Sequence, residues 1–214
     1  MKRIERSTTR WILASVSPRR KEILSRLGLR FSVDPSGIAE PARKNRETPS
    51  RYAARIARLK AEEVADRHNS GLIIGVDTIV VLGNSILVKP ETHADARLML
   101  QRLSGRWHEV LSGICLIDCD AHRIHSGCGH SRVHFRRLSA GDIKWYLQTG
   151  EHRDKAGAYG VQGYAALFID RIEGCYFNIV GFPITAFQKV CEKSGIHLIG
   201  ELKPIADCGL RIAD

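Results

Sequence analysis

Long apolar runs are missing from this sequence of 214 residues. No stretch reaches the roughly 18 to 20 uninterrupted apolar residues that a bilayer-spanning helix needs. The basic opening, residues 1–10, has no apolar segment behind it, so a secretory leader is not expected either. Internal repeats and low-complexity linkers are absent, and the composition rules out disorder, collagen and coiled coil. Aromatic residues make up 7% of the chain, leaving few platforms on which single-stranded nucleic acid stacks. The six cysteines, at 115, 119, 128, 175, 191 and 208, are too sparse for a disulfide-stapled secreted scaffold. Free thiols and a cytoplasmic location are expected.

What is present is the composition of one ordinary globular domain, 43% apolar and 26% charged, with enough chain to bury a core. Lys and Arg number 33 against 23 acidic residues, a formal charge of +10, and 23 of the cations are Arg. A guanidinium matches phosphate oxygens with a planar fork of donors, so an anionic partner is expected. The basic residues are spread along the chain rather than gathered in one run, which speaks against nucleic acid as the main partner. Nothing calls for a membrane partner. Oligomeric state is left open, a homodimer included.

Short β-like runs alternate with helical runs. Residues 11–14 read as a strand, and Ser17-Pro18 then supplies a capping hydroxyl and a first-turn proline for a helix ending before Gly28. Thr48-Pro49 repeats that start signal for a helix to about His68. Residues 72–76 form a continuous apolar run of the kind covered on both faces, expected to deliver Asp77 near its end, and residues 79–82 continue it. Thr92 opens a third helix. Residues 110–117 and 124–135 read as two longer strands, and Ser139 to Asp142 has capping-box spacing for a further helix. A glycine-rich loop, 157–163, leads to an expected strand at 165–172, and Pro183 begins a last long helix. The whole reads as mixed α/β, a twisted sheet flanked by helices.

Three clusters carry chemistry. In Leu13-Ala14-Ser15-Val16-Ser17-Pro18-Arg19-Arg20-Lys21, a strand runs into a helix start, bringing free backbone N–H groups, hydroxyls and cations together. Cations there oppose the helix dipole unless an anion sits between them, which outlines a phosphate site; the plainer reading is a capped helix with a basic first turn. The second cluster is Asp77-Thr78, with Lys89-Pro90 beyond the next short strand. A carboxylate at the carboxyl edge of a sheet holds a divalent cation, accepts a proton from water, or merely caps a turn. The third runs from Glu151 through Asp154-Lys155-Ala156-Gly157-Ala158-Tyr159-Gly160-Val161-Gln162-Gly163. Its glycines permit a close backbone path, and Gln162 offers one donor group and one acceptor, although such loops are also plain turns.

Together with Leu103-Ser104-Gly105-Arg106, these clusters resemble, in order, the motifs of the Maf family of nucleoside triphosphate pyrophosphatases, from about Trp11 to Val190. The resemblance implies residues 11–194 as the catalytic domain, with 1–10 as an extension and 195–214 as a tail. It implies a fold like that of the inosine triphosphate pyrophosphatases, with a cleft at the carboxyl edge of the sheet. The implied activity is metal-dependent hydrolysis, with Mg²⁺ or Mn²⁺, of a nucleoside triphosphate to its monophosphate and pyrophosphate. Asp77 falls on the family's general base. Arg19, Thr78 and Gln162 fall on the positions that mark its dTTP- and UTP-cleaving branch, and the Asp-Lys-Ala-Gly-Ala-Tyr run is unlike the branch acting on 7-methyl-GTP. Arg19, Arg20, Lys60, Lys89 and Lys155, with Ser15 and Ser17, are expected around the nucleotide and its phosphates, and Asp77 with Glu40 around the metal. Two positions depart from the family pattern. Ala39 replaces the first of an acidic pair, leaving Glu40, and Val88 replaces a glycine, which is expected to narrow the approach to Lys89.

Other readings of the chain are a 7-methyl-GTP pyrophosphatase of the same family, a non-catalytic nucleotide- or nucleic-acid-binding regulator of cell division, or a zinc module. The last would use Cys115, Cys119, His122, His125, Cys128, His130 and His134, but their spacing fits no standard finger, and strand alternation scatters them over two faces.

Overall fold

The computed structural model describes residues 10–203. Residues 1–9 of the expected extension and 204–214 of the expected tail, Cys208 among them, lie outside the described residues. One mixed sheet of seven strands organises the chain, in the order β2-β1-β3-β5-β6-β7, with β4 pairing β3. Strand β1 is Trp11–Leu13, helix α1 Pro18–Arg26, β2 Phe31–Val33, α2 Pro49–Ala65, β3 Leu72–Leu82, β4 Ser85–Leu87 and α3 His93–Leu103. The long hairpin of β5, Trp107–Asp118, and β6, Arg123–Phe135, leads to α4, Ala140–Gln148. Three 3-10 turns, Glu151–Asp154, Ala156–Ala158 and Tyr164–Phe168, are followed by β7, Ile169–Gly174, and helices α5, Tyr176–Val180, α6, Ile184–Lys193, and α7, Leu198–Glu201. Only β1 runs parallel to β2 and β3; the other pairings are antiparallel.

Most expected elements form for the expected reasons. Thr48 caps α2 through the Arg51 amide, and Thr92 and Ser139 each close a full capping box with Asp95 and Asp142. Three expectations are corrected. Ser17 does not cap α1 with its side chain; its own amide instead donates to Ser15 Oγ, tightening the turn before the helix. The strand expected at 165–172 begins only at Ile169, because residues 164–168 coil into a 3-10 turn that buries Ala165 and Phe168. Asp77 is not near a strand end. It lies in the central part of β3, which β5 holds in register along ten residue pairs from Leu72↔Asp118 to Val81↔Glu109. At the start of the expected tail, Ile196 and Leu198 join the core around α1, and Trp11 Nε1 donates to Glu201.

Helix α2 covers one face of the sheet unusually closely. Its Ala53, Ala57 and Ala61 lie over Gly75 of β3 and Gly113 of β5, where an added Cβ would overlap the carbonyl oxygens of Ala57 and Ala53 respectively. The opposite face carries two apolar clusters. One gathers residues of the parallel region with α1 and α6, including Leu24, Ile74, Val76 and Phe187; the other gathers Val80, Val110, Val133 and Phe135 with α3 and α4. The five described cysteines are unpaired thiols, with Cys115 and Cys191 buried. Among the described residues no three metal-ligating side chains gather, and no helix is long and apolar enough to cross a membrane.

The second cluster encloses a titratable group. His108 of β5 is 2% exposed, its Nε2 paired with the Tyr159 hydroxyl at 2.7 Å. Burial pushes its pKa from 6.5 down to about 4. The unfolded chain therefore binds this proton more readily, so the contribution is complete above pH 6.5 and is lost as pH falls toward 4. The loss should be on the order of 3 kcal/mol. Urea unfolding of the wild type and His108→Gln across that window checks this; equal pH slopes in the two would contradict it.

Candidate active site

Along one edge of β3, β1 accompanies residues 72–74 and β4 accompanies residues 80–82. Residues 75–79 between them have no partner strand on that side among the described residues. Leu72 N–H bonds to Arg10 and Ile74 C=O receives Ala14 N–H on this edge, so by strand alternation the backbone groups of Val76 and Thr78 also face the gap. A cleft of about 1300 Å³ opens there. It lies at the carboxyl end of parallel β1 while being central to β3, and for that reason side chains from both faces of the sheet reach one space.

From the α2 face comes Asp77, 5% exposed. Gly75 and Gly113 let α2 approach, and Gly113 is the cross-strand partner of Asp77. Lys60, on the last turns of α2, then donates to Asp77 Oδ1 at 2.7 Å and to Glu40 Oε1 at 2.6 Å. Asp77 Oδ2 is buried without a hydrogen-bond partner among the described residues, an unusual state for a carboxylate oxygen and one that marks a place for a ligand, water or proton. Glu40 stands on the irregular segment between β2 and α2, which Arg55 ties down by bonding Glu47 through Nε at 2.7 Å and the Ala42 carbonyl at 3.1 Å. That pairing holds the Glu47 carboxyl down at about 2.

From the other face comes Arg20. Its Nε donates to the Gly181 carbonyl at 2.9 Å, Nη1 to Ser15 Oγ at 2.9 Å and Nη2 to Thr78 Oγ1 at 3.3 Å. Desolvation pulls its pKa below the usual value while the Asp77 charge opposes that pull; a guanidinium stays charged regardless. Thr78 also contacts Ser112 Oγ at 2.9 Å, and Ser112 donates to the Asn178 carbonyl. Asn178 in turn bonds Val110 and Ser131. This buried polar chain seats Arg20 on α5. The sequence reading missed α5 because five residues carry too little periodicity; the signal lay in Asn178 and Gly181 ahead of Pro183.

All the expected residues line this cleft: Ser15, Ser17, Arg19, Arg20, Glu40, Lys60, Asp77, Thr78, Lys89, Lys155 and Gln162. They differ in engagement. Arg19 Nη1 lies 3.4 Å from Asp154, whereas Lys155 Nζ donates to Asp154 at 2.6 Å and to the Glu151 carbonyl at 2.7 Å. Lys89 and Gln162 are exposed at the mouth. Val88 also lines the cleft, 62% exposed, with its carbonyl bound by the Gly157 amide. Ala39 is exposed. The N-terminal turn of α1 has no acidic residue and no side-chain cap, which leaves its amides available to an anion.

Relatives share this chain over most of its length. A dTTP/UTP pyrophosphatase of Syntrophomonas wolfei is 42% identical over 87% of this chain and 98% of its own. Those of Clostridioides difficile and Pyrococcus furiosus are 48% and 46% identical, each over 85% of this chain and 93% of their own. A nucleoside-triphosphatase (dITP/XTP pyrophosphatase) of Mycobacterium abscessus aligns with 86% of this chain and 95% of its own at 16% identity and a TM-score of 0.45, too slight a likeness to argue from. The family described as Maf-like protein matches residues 10–194, the span that contributes every side chain of the cleft, and the chain belongs to the Maf family.

Proposed function

We propose that the cleft hydrolyses dTTP and UTP to the monophosphate and pyrophosphate in the cytoplasm. The observation that carries the reading is the meeting, at the gap in β3, of a seated guanidinium from one face with a lysine-held carboxylate pair from the other. The relatives' shared activity supports the substrate class. Free thiols fit a reducing compartment.

In this reading water attacks the α-phosphorus, the bond to the bridging oxygen breaks, and pyrophosphate leaves with growing negative charge. Positioning and charge neutralisation supply most of such a rate. Arg20 is held by three acceptors before substrate arrives and loses no reorganisation energy when charge develops. Arg19, Lys89 and Lys155 complete a cationic rim for the triphosphate, with Ser15 and Ser17 at the turn into α1. Asp77 Oδ2 takes the proton of the attacking water while Lys60 fixes the other carboxylate oxygen. Gln162 reads the carbonyl and N–H edge of the pyrimidine. Thr78, whose hydroxyl is engaged by Arg20, acts through that guanidinium.

Glu40 and Asp77 fit a divalent cation, since they already converge on one positive centre, Lys60 Nζ. Two carboxylates plus phosphate oxygens suit Mg²⁺ or Mn²⁺. Such a cation would neutralise charge on the phosphates and the leaving group. The test is a panel of nucleoside triphosphates, 7-methyl-GTP included, assayed with either metal. Fastest pyrophosphate release from dTTP and UTP is expected; orthophosphate as product, or preference for 7-methyl-GTP, would overturn the reading.

A further inference from the structure

Gln162 makes no side-chain bond of its own among the described residues, so something else must define where its amide stands. The loop that carries it folds around one carboxylate. Glu151 Oε2 accepts the Tyr164 amide at 2.7 Å, and Oε1 accepts the Tyr146 hydroxyl at 3.1 Å. A Cβ on Gly163 would overlap that carboxylate, and one on Gly160 would crowd it and the Lys155 stem. The Glu151 carbonyl meanwhile receives Lys155 Nζ. Tyr146 itself is buried in the α4 core, so the chain of contacts runs from a rigid helix through Glu151 to the residues on either side of Gln162. A backbone N–H donating to a carboxylate is a charge-assisted bond, stronger than its neutral counterpart.

From this clamp we propose that Glu151 is the positioning residue that sets base selectivity, by fixing the 160–164 loop so that Gln162 meets the pyrimidine edge. The proposal rests on the reading of Gln162 as the base-contacting side chain. Glu151 touches no reacting atom. Its removal should therefore relax discrimination between bases more than it slows the chemical step, because only the base-reading group is displaced.

The test uses the full chain and the variants Glu151→Gln and Tyr146→Phe. Glutamine keeps the size but loses the charge and one acceptor, and Phe removes only the hydroxyl donor. The ratio of kcat/KM for UTP over CTP should fall about tenfold in Glu151→Gln, mostly through KM for UTP, and less in Tyr146→Phe. Hydrogen exchange at the Tyr164 amide should quicken in Glu151→Gln. A structural role alone would lower kcat/KM for both nucleotides in the same proportion, and that result overturns the proposal, as does unchanged selectivity beside quickened exchange. If Glu151→Gln does not fold, the Tyr146→Phe ratio decides by the same criterion. Wild-type protein that cleaves UTP without preference over CTP would instead sink the reading of Gln162.

Discussion

Asp77→Asn should lower pyrophosphate release from dTTP and UTP by about 10³-fold, within the range that a lost general base costs. The amide keeps the shape of the carboxyl but takes no proton at neutral pH and binds a cation weakly. Lys60 would lose one of two carboxylates and keep Glu40, so the uncompensated charge is partial. A stability loss of about 2 kcal/mol is expected, less than when a buried ion loses its sole partner. The chain should still unfold cooperatively. Single-turnover assays beside thermal melts check both parts. Turnover within about tenfold of the wild type, far short of the loss expected for a general base, would remove Asp77 from the chemistry.

Gly113→Ala should affect both stability and catalysis, although Gly113 touches no substrate. Its missing side chain is the space in which the Ala53 carbonyl of α2 lies, so a methyl group there must push the helix off the sheet. The clash is with backbone, which cannot rotate away, and a loss of about 3 kcal/mol or more is expected. The same displacement draws Lys60 from Asp77, their 2.7 Å bond being made only because α2 sits so close. A misplacement of about 1 Å at a catalytic group lowers turnover up to about 10²-fold. Gly37→Ala is the control, since no atom of the described residues lies within 4 Å of its added methyl, and it should change stability by under about 0.5 kcal/mol. Comparable urea midpoints for the two variants would show that the close packing of α2 is not what the structure implies.

Much of the fold was legible because it is written in short-range chemistry. Thr92-Asp95 and Ser139-Asp142 are complete capping boxes within four residues, and the run ending at Val76 announces a strand buried on both faces. The residues that fail this test are those whose state is set by distant partners. Residues 164–168 have strand-like composition, yet the Tyr164 amide is bound by Glu151, thirteen residues earlier, and a 3-10 turn results. Asp77 reads as a strand end because apolar character falters there, but β5 carries the pairing straight past it.

For the cleft, the sequence by itself determined the cast: cations at the start of α1, an acid after an apolar run, a glycine loop carrying Gln162. These follow from local propensity and from motifs that occupy consecutive positions. Only the tertiary structure decided the pairings, because they join residues that have no local relation. Lys60 meets Asp77 across 17 positions and Arg20 meets Thr78 across 58. Both meetings depend on the two faces of the sheet being reachable where β1 has ended and β4 has not begun, and strand length beside a neighbour is set by packing and hydrogen bonding of the whole sheet rather than by any one segment.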